Sequence, residues 1–194
     1  MKTLPSDDPQ DKKAATLRAT LELISEQGLD ATPMSQIASR ANIGVGTIYR
    51  YFDNKEQLIN ALYLQLKTRV NQAVIVDHSD ELPVKELFIK SLKNVFHYYL
   101  ENPSELRFLE QYENSPILTA STREENMRLS GPAYRLLQRG LEQQLIKELP
   151  VGILGALFSG ALTALAKFHL SAGGTFQEQE LDTALEGIWD MLSH

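Results

Sequence analysis

Residues 32–55 read TPMSQIASRANIGVGTIYRYFDNK, two short helical patterns separated by a tight break. Thr32-Pro33 is a helix-start signal, because Thr caps an N-terminus and Pro is favoured at the first helical position. Ile37, Ala38 and Ala41 share one face by their three-to-four spacing. Asn42 falls where a left-handed residue would end the helix, a backbone state its short polar side chain tolerates. Ile43 is the lone apolar residue of the turn and is expected to pin it into a core. The second pattern opens at Gly44 or Val45 and buries Ile48 and Phe52. Val45, Thr47, Tyr49, Arg50 and Tyr51 are left on its other sides. Helix, short turn, helix is the arrangement that places a second helix in the DNA major groove.

The rest of the chain also reads as helices, so the expected fold class is all-α. Residues 1–7 read as a tail, and Asp8-Pro9-Gln10-Asp11 then starts a helix that runs to Gln27 and ends at Gly28. Its expected stripe is Ala14, Leu17, Leu21 and Ile24. A further helix starts at Asp53-Asn54-Lys55-Glu56 and reaches about Val76, with Leu58, Leu62, Leu66 and Val70 inside. Asp53 with Glu56, or Asn54 with Gln57, is its expected capping box, and free N–H groups beside Lys55 there suit a phosphate. A loop over 77–82 follows, then helices over 83–100 and 104–112. Residues 121–148 read as a helix kinked or broken at Gly131-Pro132.

Residues 151–170, VGILGALFSGALTALAKFHL, are the most apolar stretch. Their uncharged run ends at Ala166, short of the roughly 18 residues a membrane span needs, and Lys167 and His169 follow. A buried helix is expected instead. Ala156, Gly160 and Ala164 recur every four residues and give it one smooth face that another helix can approach. Gly173-Gly174 is expected to end it. The last helix spans 176–192, with Leu181, Leu185, Ile188, Trp189 and Leu192 as its stripe.

Composition narrows the function. The absence of Cys excludes a disulfide framework, a thiolate metal site and a Cys nucleophile. The N-terminal decapeptide has no apolar core of a signal peptide, so a cytoplasmic location is the default expectation. A net charge of −6 is unusual for a DNA binder, and residues 1–60 hold seven Lys/Arg against eight Asp/Glu. A few cations and backbone N–H groups suffice for phosphates, however. Lys12, Lys13, Arg18, Arg40, Arg50 and Lys55 are the candidates for a local positive surface. Gly44-Val45-Gly46 lacks the third Gly of a dinucleotide fingerprint, and no Walker loop, nucleophile elbow or metalloprotease motif occurs. No enzyme, metal or cofactor is indicated.

Ile37-Ala38, then Asn42 through Phe52, then Asn54-Lys55-Glu56-Gln57-Leu58 resemble the DNA-binding signature of the tetracycline-repressor (TetR) family. The likeness covers residues 10–58. The chain departs from the usual pattern at Asn42 and at Gly44-Val45, the latter leaving the tip of the second helix without a cation. The resemblance implies a three-helix DNA-binding domain over residues 1–54. It also implies a helical ligand-binding and dimerisation domain over 55–194, joined to the first by the long helix from Lys55.

Base reading would fall to Val45, Gly46, Thr47 and Arg50. Arg50 suits guanine, Val45 a thymine methyl, and Gly46 a close backbone approach. Ser35, Thr47, Tyr49, Tyr51 and Lys55 suit phosphates. Core packing for Tyr49 and a solvated or salt-bridged role for Arg50 are the plainer alternatives. The family further implies a homodimer, built here on Ala156, Gly160, Ala164, Leu185 and Trp189. It implies a pocket for a small organic effector, for which Phe96, His97, Phe108, Tyr112, Tyr134 and Phe158 are candidates. Plain core is the alternative for each. The function implied is a repressor that binds a palindromic DNA operator as a dimer and is released by that effector. The competing readings are a helical bundle or enzyme that no longer binds DNA, and a regulator controlled by a protein partner.

Overall fold

A computed structural model describes residues 9–74, 82–171 and 176–194. These form ten helices: α1 Pro9–Gln27, α2 Met34–Ala41, α3 Val45–Tyr49, α4 Lys55–Val74, α5 Val84–Glu101, α6 Pro103–Tyr112, α7 Ala120–Leu129, α8 Gly131–Glu142, α9 Val151–Ser171 and α10 Glu178–Leu192. No strand occurs among the described residues, which contain one isolated bridge between Ile146 and Ser193. The expected tail with its Asp8 cap, the loop at 77–82 except Leu82, and the Gly173-Gly174 stop lie outside the described residues.

The described residues fall into two compact units. One comprises those up to Leu66 together with Ser104–Glu125. The other takes those of Lys67–Pro103 and Asn126–His194. Residues 55–66 and 104–125 thus pack with the N-terminal helices, which a functional division after Asn54 would separate from them.

In the first unit α1 buries Ala15, Leu17, Ala19, Leu23 and Ile24. Its buried face is rotated from the expected stripe, leaving Ala14 exposed and Leu21 half-buried. Two threonines allow this: Thr16 and Thr20 are fully buried and return their hydroxyls to the carbonyls of Lys12 and Thr16, each at 2.8 Å. Gly28, at φ 81, ends α1 by closing its N–H on Ile24. Asn60 interrupts the apolar run of α4. It is 7% exposed and ties the 117–119 segment to the helix, donating to the carbonyl of Ile117 at 2.9 Å and accepting from the N–H of Thr119 at 3.0 Å.

In the second unit Phe88 meets Phe158 and Trp189 edge-on, each at 5.5 Å between ring centres. The chain breaks at Gly131-Pro132 into α7 and α8, and Pro132 sits in the first turn of α8. That helix stops at Glu142, short of the expected Glu148. Gln144 adopts φ 55, and the N–H groups of Gln144 and Leu145 close on Leu141 and Gly140. This is a left-handed stop without the customary Gly, which no residue type announced. The freed segment lets buried Ile146 pack on Gly140 and lets Lys147 N–H reach the Leu192 carbonyl at 2.8 Å.

The expectation that α9 is buried holds for one stripe only. Leu154, Leu162 and Ala166 are buried, whereas Ile153, Leu157, Phe168 and Leu170 are exposed. By length and composition α9 is the one helix among the described residues that could cross a membrane, and only 17% of its most apolar 18-residue stretch is buried.

Candidate nucleic-acid interface

The helix-turn-helix is fixed by its turn. Asn42 has φ 55 and ψ 45, the left-handed conformation expected of it. Its N–H closes on Ser39 at 3.1 Å and the next N–H, of Ile43, on Ala38 at 3.0 Å. Two otherwise orphaned carbonyls are thereby satisfied and the chain is turned sharply into α3. Ile37, Ala38, Ala41, Ile48 and Phe52 are buried and hold the two helices together, with Ile43 half-buried beside them. Thr32 does not cap α2. Its buried hydroxyl donates instead to the Gly28 carbonyl at 2.6 Å, and Pro33 stands just before the first helical residue.

This leaves a consistent outer face. Val45 is 42% and Tyr49 49% exposed, large values for such side chains in a folded domain. Ser35, Gly46 and Arg50 are also exposed, while Thr47, Tyr51 and Lys55 are half-buried. The Arg50 side chain makes no hydrogen bond or ion pair among the described residues, so its five donors are free for an incoming group. A Cβ on Gly46 would meet nothing within 4 Å, so the packing of this chain does not require glycine there.

Two candidate cations are spoken for. Arg40 forms a two-pronged bond to Glu26, at 2.9 and 2.7 Å, and a third contact to Glu22 at 3.3 Å. The guanidinium holds the Glu26 carboxyl below its usual range, and the two glutamates hold Arg40 firmly protonated. Arg40 thus fastens α2 to α1. Lys55 donates its ammonium to the Leu29 carbonyl. Lys13 lies 5.8 Å from the centre of the Phe52 ring, a cation–π contact that leaves its outer side open. The start of α4 is capped by Asn54, whose side chain accepts the Gln57 N–H at 2.9 Å, while Gln57 reaches back to the Asp53 N–H at 3.0 Å. Of the two expected boxes this is the second, shifted by one residue at its return bond.

Sequence reasoning overlooked two features of this unit. Gln27 bridges the Ala31 carbonyl at 2.6 Å and the Gln36 side chain at 2.7 Å, and Asn60 anchors the 117–119 segment. A polar residue inside the apolar run Leu58-Ile59-Asn60 was the available signal for the second; the first had none.

The effector candidates are not brought together. Phe108 and Tyr112 pack on each other at 4.6 Å in the first unit. Burial, and secondarily the charge of Asp30, raise the Tyr112 phenol above its usual value. Phe158 packs edge-on against Phe88, and Tyr134 is 37% exposed. Only Phe96 and His97 border the cleft of about 290 Å³ between α5, α9 and α10, with His169 and Phe176. Of the interface candidates, Ala156, Gly160 and Ala164 lie on the exposed face of α9. Leu185 and Trp189 do not: at 0% and 6% exposure they close the core of their own chain.

A short exposed helix presented on a helix-turn-helix is the architecture of DNA-binding transcriptional regulators. The family model for the N-terminal domain of bacterial regulatory proteins of the tetR family matches residues 17–62, and the tetracyclin repressor-like C-terminal domain matches residues 83–193. The chain belongs to the TetR family. It is 33% identical over 98 residues to an uncharacterised helix-turn-helix transcriptional regulator of Haemophilus influenzae, covering 50% of this chain and 52% of that one. The match therefore spans about half of that relative. A TetR family transcription regulator from Shewanella sp. PV-4 has the same fold, with a TM-score of 0.87 at 24% identity over 94% of this chain and 98% of that one. A TetR family protein from Vibrio parahaemolyticus superposes with a TM-score of 0.80 at 28% identity, over 94% and 99%.

Proposed function

We propose that this regulator is a homodimeric, cytoplasmic repressor that binds a palindromic operator and is released by a small organic effector. The observation that carries the DNA-binding part is the exposed surface of α3 and its C-cap, where Val45 and Tyr49 stand out and Arg50 makes no hydrogen bond or ion pair among the described residues. On this reading Val45, Gly46, Thr47 and Arg50 read bases, while Ser35, Tyr49 and Tyr51 hold phosphates. Arg50 makes the discriminating contact, worth about 1–3 kcal/mol against a wrong base. Lys55 acts chiefly by fixing the start of α4 to Leu29.

Dimerisation is supported by the apolar surface of α9. Ile153 and Leu157 stand exposed beside Ala156, Gly160 and Ala164, a face that a second copy would cover. Two copies would place their α3 helices about 34–36 Å apart, one turn of DNA. The DNA-binding part is assigned to residues 1–54 and the regulatory part to 55–194. The long α4 carries residues of both compact units and is the natural relay. An effector needs a differential affinity of about 1–3 kcal/mol between two states to release DNA 5–150-fold.

Selection of bound DNA from a random pool by the purified full chain, at stated salt, tests this reading. A two-fold symmetric site is the expected product. Enrichment of nothing would sink the regulator and favour a helical ligand-binding bundle. An asymmetric site would sink the symmetric dimer alone.

A further inference from the structure

The cleft between α5, α9 and α10 lies wholly within the second compact unit. Four aromatic rings frame it: Phe96 and His97 of α5, His169 of α9, and Phe176 just before α10. Phe96 is their hub. It meets His97 and His169 edge-on, at 5.9 and 5.7 Å between ring centres, and Phe176 at 6.1 Å. His169 in turn lies against Phe176 at 5.5 Å, with the ring planes 30° apart. A ring cluster that served the core alone would be closed over. Here Phe96 is buried, but His169 and Phe176 are half-buried and His97 is exposed.

Three properties of the cleft limit what can enter it. The first is size: about 290 Å³ is available, where roughly 150 Å³ holds benzene, so one ring with its substituents fits. The second is charge. The Lys93 ammonium on the lining is already held by Asp182 at 2.7 Å and by Glu178 at 3.2 Å. A ligand anion would meet two carboxylates against one ammonium, and a ligand cation would have to displace that ammonium. An uncharged ligand disturbs neither and loses less hydration on entry. The third is hydrogen bonding. The His97 ring makes no hydrogen bond among the described residues, and His169 uses only Nδ1, which accepts from the Phe176 N–H at 3.4 Å. Imidazole nitrogens are thus left over beside aromatic rings and the side chains of Leu100 and Leu181. Each such nitrogen gives or takes a hydrogen bond according to where its proton sits, and a hydroxyl can answer either.

We propose that this cleft binds an uncharged, phenol-like aromatic, its ring against Phe96 and Phe176 and its hydroxyl on His97 or His169. For its regulatory role this rests on the reading of the protein as ligand-released, to which it adds the place and the chemical class of the effector.

The test uses the full chain with 15N-labelled histidine, and phenol, toluene, cyclohexanol, benzoate and benzylammonium as probes. Phenol and toluene share a shape and differ in OH against CH3; cyclohexanol keeps the hydroxyl and loses the aromatic ring. The ring signals of His97 and His169 are assigned by their loss in His97→Gln and His169→Gln. Both are expected to move with millimolar phenol. Toluene should bind about fivefold more weakly, the size of one neutral hydrogen bond. Cyclohexanol should bind about two- to tenfold more weakly, the range of an aromatic pair. Either signal ignoring phenol overturns the site. Toluene bound as tightly as phenol overturns the hydroxyl anchor, and cyclohexanol bound as tightly overturns the aromatic one. Benzoate or benzylammonium bound more tightly than phenol overturns the uncharged class.

Leu100→Trp fills the cleft from a half-buried position and should abolish the shifts caused by phenol. Shifts that persist in the folded variant overturn the site. Should that variant not fold, nuclear Overhauser contacts from phenol to the Phe96 and Phe176 rings of the unaltered protein decide, and their absence overturns the site. DNA binding is followed on the same samples. Phenol bound in the cleft without change in DNA affinity keeps the site and removes its regulatory role. Release of DNA by a compound that leaves both histidines unmoved keeps the ligand-released reading and overturns this cleft as the effector site.

Discussion

At the scale of single residues the surface of α3 separates side chains that serve the fold from those that do not. Ile48 and Phe52 are buried and hold the helix in place, while Arg50 stands exposed and without a bond among the described residues. Arg50→Ala is expected to leave the melting temperature unchanged and to weaken selected DNA by about 1–3 kcal/mol, measured by titration at fixed salt. Gly46 gives a sharper test, because a Cβ there meets only open space. Gly46→Ala should stabilise the free protein by up to about 1 kcal/mol, since alanine is the better helix former. It should nevertheless weaken DNA binding, because the added methyl stands where the backbone approaches the bases. Stability and affinity moving in the same direction would refute that assignment. Arg40 contrasts with Arg50. With its guanidinium on Glu26 and Glu22, Arg40→Ala should leave the salt slope of DNA binding unchanged. The Glu26 carboxyl, now held below its usual range, should return upward in that variant. Because its folded-state value is depressed, the pair stabilises the fold above the ordinary carboxylate range and that contribution is lost as pH falls through the depressed value. Carboxyl 13C titration of Glu26 in both proteins reads this directly.

At the scale of elements the stops matter more than the stripes. α2 ends at Asn42, and its φ of 55 was legible from residue type, because a short polar side chain tolerates that backbone. α8 ends at Glu142, and Gln144 two residues on takes the same left-handed conformation, which nothing in its residue type signalled. The reason is tertiary. Stopping there lets Ile146 bury itself on Gly140, where a Cβ would lie 3.1 and 3.3 Å from the Ile146 side chain and 3.5 Å from Val84. Gly140→Ala therefore sets a gain in helix propensity against a contact that a buried side chain cannot easily relieve. The expected net is a loss of about 1 kcal/mol, within the usual cost of overpacking. Ile146→Val in the same chain should recover part of it, and a thermal double-mutant cycle over the two sites should show coupling rather than additivity.

At the scale of the whole molecule the question is what covers α9. A Cβ on Gly160 would meet nothing within 4 Å in its own chain, and Ile153 and Leu157 lie exposed on the same helix. Gly160→Glu should leave the helical content and melting of a single chain intact while changing the mass measured by light scattering from two chains to one. DNA affinity should fall with it, because a half-site is then read alone. A wild-type protein that stays monomeric at tens of micromolar would remove the dimer from the reading. By itself the sequence determined the all-helical class, the helix-turn-helix and its Asn42 turn. Those depend on local patterns: the 3.6-residue period of apolar side chains and the few residue types that tolerate a left-handed backbone. Only the tertiary structure decided which face of α1 turned inward, which cations were already bonded, and that Leu185 and Trp189 close their own core while α9 stays open. Each of those depends on which distant residue arrives at a surface, and neither spacing nor composition in one stretch of chain records that.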